Sequence, residues 1–574
     1  MNRTIQQLSV FLPILAWSRV YNRADFRADV VAGSVVLFIT VPQVIAYAFL
    51  ARMPAEAGLY AALFALVAYA FFGSSKALAV GPTAIVAMMT LEVASLHAEV
   101  GGTEYTRIVI QLSAMTGLIL IALRVINFGS VVSFLSHAVV TGFISAAAIL
   151  IISNQMPAIM GLPPSADTSI VGIYTHLLAE LVVTNHLVLI ISLGALLLLV
   201  LCRTWLGDLM SRAGLSVAVT DSLVKSAPMY VVILGILVMQ AFSLGGLVPV
   251  VGEIPASLPE VSLTWVSREA IETLGPSAFL IALVVFMEST SIGTAMASKS
   301  RDKIDANQEL IGLGAANIGS SLAGAFPVAG SFARSAVNFS SGAVTPVASL
   351  ITAALVLLTI LVFAPLFYDL PKGVLAAIIV VSAWQLIDVA AVKKIFQFNT
   401  TDAVTFTGTF VAVLGFGVEA GVLTGIVISF ALLIRNSSKP NIAVVGRVGD
   451  SEHFRNVERY DVNTSPKVLA IRVDESFYFV NTHFIEAFVL SQLAEREEVE
   501  HVLLICTATN FIDTSGLEML EELSENLYGT GVTLHLAEVK GRVMDKLKET
   551  SFYQNMHGQV FFTTNIAMRE LVGI

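Results

Sequence analysis

Apolar residues dominate this chain in long uninterrupted runs. A helix needs about 20 mostly apolar residues to cross a bilayer. Eleven runs read as such helices: 30–50, 58–72, 108–123, 131–152, 187–201, 229–242, 278–297, 347–367, 374–387, 403–416 and 421–434. Three more, 79–96, 312–325 and 331–341, are hydrophobic but rich in Gly, Pro and Ser. Together they predict fourteen membrane elements. Beyond them the pattern changes. Short β-type runs at 468–473, 502–506 and 532–537 alternate with helix-like stretches at 482–496, 515–528 and 542–548. Strands alternating with helices predict a soluble α/β domain. The predicted division is an N-terminal segment 1–28, a membrane domain 29–436, a linker 437–454 and a soluble domain 455–574.

Composition sharpens this picture. Only 13% of the 574 residues are charged, against 56% hydrophobic; soluble domains run near a quarter charged. Positive charge marks one side of the membrane. Arg3, Arg19, Arg23 and Arg27 precede the first span. If fourteen elements alternate, Arg203, Arg212 and Lys225, then Lys299, Arg301 and Lys303, then Lys393 and Lys394, then Arg435 and Lys439, all fall on that same side. Both termini and the soluble domain are therefore expected to be cytoplasmic, and the expected location is a bacterial inner (plasma) membrane. A net charge of −10 argues against a nucleic-acid partner. Cys202 and Cys506 lie in different domains and suggest neither a disulfide framework nor a metal site. No Walker motif is present, and nothing points to a cofactor or to a nucleophile–base constellation, so an enzyme is not expected.

The chain also repeats itself. Gly73-Ser74-Ser75-Lys76-Ala77-Leu78-Ala79 resembles Gly319-Ser320-Ser321-Leu322-Ala323-Gly324-Ala325, an offset of 246. A breaker follows each copy: Gly81-Pro82-Thr83, then Pro327-Val328-Ala329-Gly330-Ser331. The same offset carries Gln43 to Ser289, beside Glu288. Two halves of seven elements are expected, inverted because seven is odd. Matched breakers in two halves point to a transporter site. The first N–H groups of a helix lack internal partners and carry partial positive charge. Two half-helices starting near the midplane at Thr83-Ala84 and Ser331-Phe332 would present both ends to one anion. Arg334, one turn into the second half-helix, would complete the site; its alternatives are a salt bridge to Glu288 or helix packing. Glu288, deep in an apolar span, would couple proton movement to anion movement, bind sodium or stay paired with Arg334. Gln43 and Tyr47 share a helix face and would line the anion. Glu419 reads as a turn residue near the outer surface. In the soluble domain, Asp513-Thr514-Ser515-Gly516 opens a helix, with Asp513 or Ser515 as its cap and Ser515 as a candidate phosphorylation site.

Four motifs in order resemble the SulP family of anion transporters, equivalent to the animal SLC26 group. They are Asp29-Val30-Val31-Ala32-Gly33 with Pro42-Gln43-Val44-Ile45-Ala46-Tyr47-Ala48; Val80-Gly81-Pro82-Thr83-Ala84; Gly330-Ser331-Phe332-Ala333-Arg334-Ser335-Ala336-Val337-Asn338; and Ile512-Asp513-Thr514-Ser515-Gly516, which is similar to STAS domains. The resemblance implies an α-helical polytopic fold of two inverted seven-segment repeats, divided into core and gate domains, plus a C-terminal STAS domain. It implies homodimers, an elevator-like movement, and an anion held by Gln43, Tyr47, Thr83, Ala333 and Arg334. Thr83 and Ala333 depart from residues common in the family, which leaves the substrate open. Glu288 matches the position used for cation coupling, and Ile292 and Phe332 stand where sodium-coupled members carry hydroxyls, which favours protons. The expectation is sulfate:proton symport. The rivals are chloride/bicarbonate or dicarboxylate exchange and, in another class, a membrane sensor signalling through its STAS domain to a cytoplasmic partner.

Overall fold

The structure is a computed structural model, and it describes residues 12–19, 21–129, 136–165, 169–214, 220, 223–262 and 266–572. Arg3 and the expected start of a span at 131–135 lie outside these. The chain forms two compact units, Met1–Ile428 and Ser429–Ile574.

All fourteen expected membrane elements are present as helices. The first seven are α1 (Arg23–Leu50), α2 (Ala55–Phe72), α3 (Ala84–His97), α4 (Thr103–Val125), α5 (His137–Met160), α6 (His186–Thr204) and α7 (Ala227–Ala241). The second seven are α8 (Arg268–Ser300), α9 (Ala306–Leu322), α10 (Phe332–Ser340), α11 (Val347–Leu358), α12 (Lys372–Trp384), α13 (Thr400–Phe416) and α14 (Val418–Ser438). Shorter unlabelled helices, such as Ile170–Glu180 and Val389–Phe398, connect some of them. Two-residue strands precede the two broken helices: β1 (Val80–Gly81) before α3 and β2 (Ala329–Gly330) before α10.

Helix α1 starts earlier than expected, inside the segment assigned to 1–28. Its start is fixed by a capping box: Asn22 accepts from Ala24 and Asp25 N–H, and Asp25 accepts from Asn22 N–H. Six residues on, Asp29 is fully buried and ties the two halves together. Its carboxylate accepts from Val344 N–H (2.8 Å), Thr345 N–H (3.1 Å), Thr345 Oγ1 (2.6 Å) and Tyr21 Oη (3.2 Å). One turn further, a Cβ on Gly33 would stand 2.6 Å from Ala348 O, so α1 and α11 touch backbone to backbone.

The repeat is real in element order, but its register is not the one expected. Gly73 caps the end of α2, whereas Gly319 lies within α9. The N-caps of the two broken helices, Thr83 and Ser331, are 248 residues apart (331 − 83), not 246. Small residues recur in both stretches because close helix packing favours them in membranes, and that shared composition produced the seven-residue match. Glu419 also differs from expectation. It sits in the first turn of α14 and accepts from Ser277 Oγ at 2.9 Å. The turn itself is Gly417, at φ 91°. Glu92 reaches across from α3 to accept the Val418 N–H at the start of α14, at 2.9 Å.

The second unit contains a sheet of order β4-β3-β5-β6-β7-β8 among the described residues. The strands are β3 (Ile442–Arg447), β4 (Phe454–Asn456), β5 (Val468–Val473), β6 (His501–Ile505), β7 (Thr533–Ala537) and β8 (Val560–Phe561). Strands β5 to β8 run parallel, while β3 is antiparallel to both β4 and β5. Helices α15 (Thr482–Ala494), α16 (Thr514–Gly529) and α17 (Gly541–Leu547) fall where helix was expected. Val502 and Leu504 pack with Ile485, Leu520 and Val543 on one face, while Leu503 and Ile505 pack with Phe561 and Ala567 on the other. Both faces are covered, which is why these strands read as continuous apolar runs. The segment 437–454 is not the expected linker. Ala443 and Val445 bury one edge of β3 into this core, and β3 belongs to the sheet.

Candidate functional site

The breakers produce the geometry their sequence suggests. Gly-Pro and Pro-Val-Ala-Gly cannot continue a helix, so each chain segment crosses the protein interior as extended backbone. The two segments meet in an antiparallel ladder, Val80 opposite Gly330 and Gly81 opposite Ala329. That pairing sets the starts of α3 and α10 side by side. Irregular backbone inside a membrane protein must find hydrogen bonds within the protein, and here neighbouring side chains supply them. Ser289 Oγ accepts from Gly330 N–H (2.8 Å), and Asn317 Oδ1 accepts from Val328 N–H (2.9 Å). Ser335 Oγ accepts from Ala79 N–H (2.9 Å), and Asn338 Nδ2 donates to Ala77 O (3.1 Å).

The helix starts themselves are left open. Neither Thr83 nor Ser331 caps its helix with its side chain. Both N-cap residues, and Ala84, are buried. The Thr83 hydroxyl has no partner. Uncapped helix ends in a buried place are a deficit unless something else supplies the acceptors.

Arg334 closes the arrangement. It is 2% exposed, and its Nη2 donates to Pro82 O at 2.7 Å, which bridges the second broken segment to the first. Its Nε and Nη1 have no partner. A Cβ on Gly81 would stand 3.3 Å from Nη2, so glycine makes room for the guanidinium. No salt bridge joins Arg334 to Glu288, and the alternative of a fixed ion pair does not hold. Glu288 keeps one carboxylate oxygen buried without a hydrogen bond.

A cavity of about 260 Å³ reaches this region. Gln43, Phe332 and Ala333 line it, with Ser382 on the facing helix α12 and with Arg203 and Lys225. Phe332 is half exposed, whereas Gln43 and Tyr47 are buried. Gln43 Nε2 donates to Ser382 Oγ at 3.2 Å, and its Oε1 is unpartnered. Tyr47 follows Gln43 by one turn on the same face of α1. The pairing of β1 with β2 brings Thr83, Ala84, Ser331 and Arg334 to neighbouring helix starts, Gln43, Phe332 and Ala333 line the cavity, and Tyr47 is one turn from Gln43 on α1. The donors left over are Nε and Nη1 of Arg334 and the uncapped starts of the two helices, groups from which an anion can accept.

A model of the sulfate permease family matches residues 26–409, and a model of the STAS domain matches residues 459–566. The chain belongs to the sulfate permease family. It is thus an integral membrane transporter with a STAS domain, not an enzyme. The chain is 31% identical to Sulfate transporter 1.3 of Arabidopsis thaliana over 97% of its own length and 86% of the relative's. It is 30% identical to High affinity sulfate transporter 2 of Stylosanthes hamata over 97% and 85%. Among solved structures, murine Slc26a9, an anion transporter in the inward-facing state, superposes with TM-score 0.89 at 24% identity, over 99% of this chain and 95% of that one. The transmembrane domain of the cyanobacterial bicarbonate transporter BicA superposes with TM-score 0.60 at 20% identity, over 71% and 98%. These likenesses extend the fold of this sulfate permease family member over both units.

Sequence reasoning missed several residues of this family member's site region. Ser382 was visible only as a hydroxyl inside the apolar run from Val374 to Ala383. Asn317 was likewise an amide among small residues in the run 312–325. Glu309 is fully buried and accepts from Tyr69 Oη (2.8 Å), Ser74 N–H (2.9 Å) and Ser74 Oγ (2.7 Å); it holds the turn that leads into β1. In the STAS domain the cap is Asp513, whose Oδ1 accepts from Gly516 N–H at 2.8 Å and whose Oδ2 accepts from Phe479 N–H at 3.0 Å. Ser515 lies in the first turn of α16, partly exposed.

Proposed function

We propose that this protein is a secondary transporter of inorganic anions, moving sulfate together with protons by an elevator-type alternating-access cycle. The observation that carries the reading is the pair of open helix starts at Thr83 and Ser331, with the unpartnered Nε and Nη1 of Arg334 beside them. A divalent oxyanion would accept from the first N–H groups of α3 and α10 and from the guanidinium at once. Gln43 and Tyr47 would contact it from α1, and Ala333 and Phe332 would shape its access. The names of the plant relatives favour sulfate as the anion.

Glu288 supplies the coupling. One of its carboxylate oxygens is buried without a hydrogen bond. A carboxyl that gains and loses its proton across the cycle would let anion and proton load together. Ile292 and Phe332 stand where, by the family resemblance, sodium-coupled members carry hydroxyls, which favours protons over sodium. The cavity runs between α1 and α10 on one side and α12 on the other. Sliding the paired half-helices along α12 would carry the site from one face to the other. The basic residues Arg203 and Lys225 in the cavity lining support a cytoplasmic opening, with both termini on that side. The expected bacterial inner membrane draws no support from the plant relatives, and the proposal is confined to sidedness. A homodimer follows from the family resemblance alone.

Radiolabelled sulfate uptake into proteoliposomes, with and without an inward proton gradient, tests the reading. Wild type should show gradient-driven uptake, and Glu288→Gln should lose the gradient dependence. Chloride or bicarbonate flux without sulfate uptake would contradict the sulfate assignment and leave the anion site standing.

A further inference from the structure

A second cavity, of about 640 Å³, opens at the far end of α1. It is built on the same two helices as the first. Gln43 on α1 and Ser382 on α12 line the first cavity, whereas Phe49 on α1 and Ala376 on α12 line the second. The two cavities therefore lie along one seam between α1 and α12, the first at Gln43 and the second from Ala46 to Arg52.

The chemistry of the second cavity is one-sided. Its lining contains two cations, Arg52 and Lys372, and the amides of Asn154 and Gln155, but no carboxylate. Neither cation has an ion pair among the described residues. Lys372 Nζ stands 5.0 Å from the centre of the Phe49 ring. Arg52 is held against its backbone preference. Helix α1 ends with Met53 N–H donating to Ala48 O and Arg52 N–H donating to Phe49 O. Arg52 occupies the left-handed position of that cap, at φ 54°. Glycine is the residue that fits this position without strain. A strained arginine in the lining of a mostly apolar cavity, with Lys372 and two amides as its other polar groups, points to a use for its side chain.

We propose that this cavity is a loading vestibule, in which Arg52 and Lys372 hold a small inorganic anion before it reaches the helix starts at Thr83 and Ser331. The inference rests on the transport reading above. A cleft lined by one sign of charge raises the local concentration of its counter-ion, and salt weakens the effect. Because the vestibule lies at the end of α1 away from Arg203 and Lys225, it serves anions arriving from outside the cell.

The test is sulfate uptake into right-side-out membrane vesicles containing the full chain, as wild type, Arg52→Gly and Lys372→Gln. Arg52→Gly removes the charge while relieving the left-handed backbone, so its fold should be at least as stable as wild type. Each variant should raise the KM for external sulfate by roughly tenfold, the lower end of what charged clefts contribute. Vmax should change far less, and the KM difference should shrink as inert salt is added. In inside-out vesicles, where sulfate enters from the cytoplasmic face, the KM of both variants should match wild type. An unchanged KM in right-side-out vesicles, or an equal rise on both faces, would overturn the vestibule while wild-type uptake upheld the transport reading. Absence of anion uptake by wild type would overturn both.

Discussion

The two broken segments at the centre of the membrane unit share a shape and differ in what they supply. The first, Val80 to Thr83 and α3, contributes backbone. Ala77, Ala79 and Pro82 offer carbonyls to Asn338, Ser331 and Arg334. The second, Ala329 to Ser331 and α10, contributes side chains, with Ser335, Asn338 and Arg334 all reaching back to the first. The supports of β2 come from the second half as well: Ser289 on α8 and Asn317 on α9. Duplication explains the common shape. In this division of labour the second segment carries the cation and the polar groups that join the two, while the first offers them backbone carbonyls. An anion between them would meet two helix dipoles but only one full charge.

Substitutions on the two sides should therefore have unequal effects. The largest belongs to Arg334→Gln. Removing a buried charge that faces an anion costs about 3 kcal/mol, roughly a hundredfold in affinity, and sulfate uptake should fall to background. Arg334→Lys should not restore it, because one ammonium cannot both hold Pro82 O and offer two further donors. Next comes Asn317→Ala. It removes the acceptor of Val328 N–H and the donor to Leu313 O and Val328 O. Buried groups left unpaired cost about 1–3 kcal/mol each, so thermal unfolding should shift markedly downward and uptake should fall with the folded fraction. Thr83→Ala, on the first segment, should be far milder, changing the KM for sulfate by less than about threefold, the scale of one neutral hydrogen bond. An Arg334→Gln effect no larger than that of Thr83→Ala would break the comparison.

The smallest effect on transport should come from outside both segments. In the STAS domain, His535 is buried and its neighbour His501 adds to the cost of charging it, so its pKa is pushed down to about 4. Its Nδ1 accepts from Gln559 N–H (3.0 Å), which leaves Nε2 to donate to His501 Nδ1 (3.2 Å). The unfolded chain takes up this proton near the ordinary pKa of 6.5, while the folded chain resists it. Stability carried by His535 is therefore complete above about 6.5 and declines as pH falls towards 4. Hydrogen exchange of the full chain should show β6 and β7 losing protection over that window, and His535→Gln should flatten the response. The contrast between Arg334 and Thr83 should be unaffected.

Much of this was legible in the residue order. The fourteen elements followed from apolar length, and the two helix starts followed from Gly81-Pro82-Thr83 and Pro327 to Ser331, because Gly and Pro act locally. Arg334 stood out because a cation in an apolar helix needs a reason. What was not legible depends on contacts between distant residues. Ser382 meets Gln43 across 339 positions, and Glu309 meets Ser74 across 235; no local pattern marks either pair. The register of the repeat was misread because small residues pack helices in both halves without being equivalent. Strand β3 was missed because a short apolar run becomes a strand only when a partner such as β5 is beside it.

The central claim is that one anion sits between the starts of α3 and α10. It is tested most directly by locating selenate, a heavier analogue of sulfate, in crystals of the full-length protein by anomalous diffraction. The account predicts a peak within hydrogen-bonding distance of the first N–H groups of both helices and of the Arg334 guanidinium, and no such peak in Arg334→Gln. A selenate bound elsewhere in the membrane unit, with these helix starts empty, would contradict it.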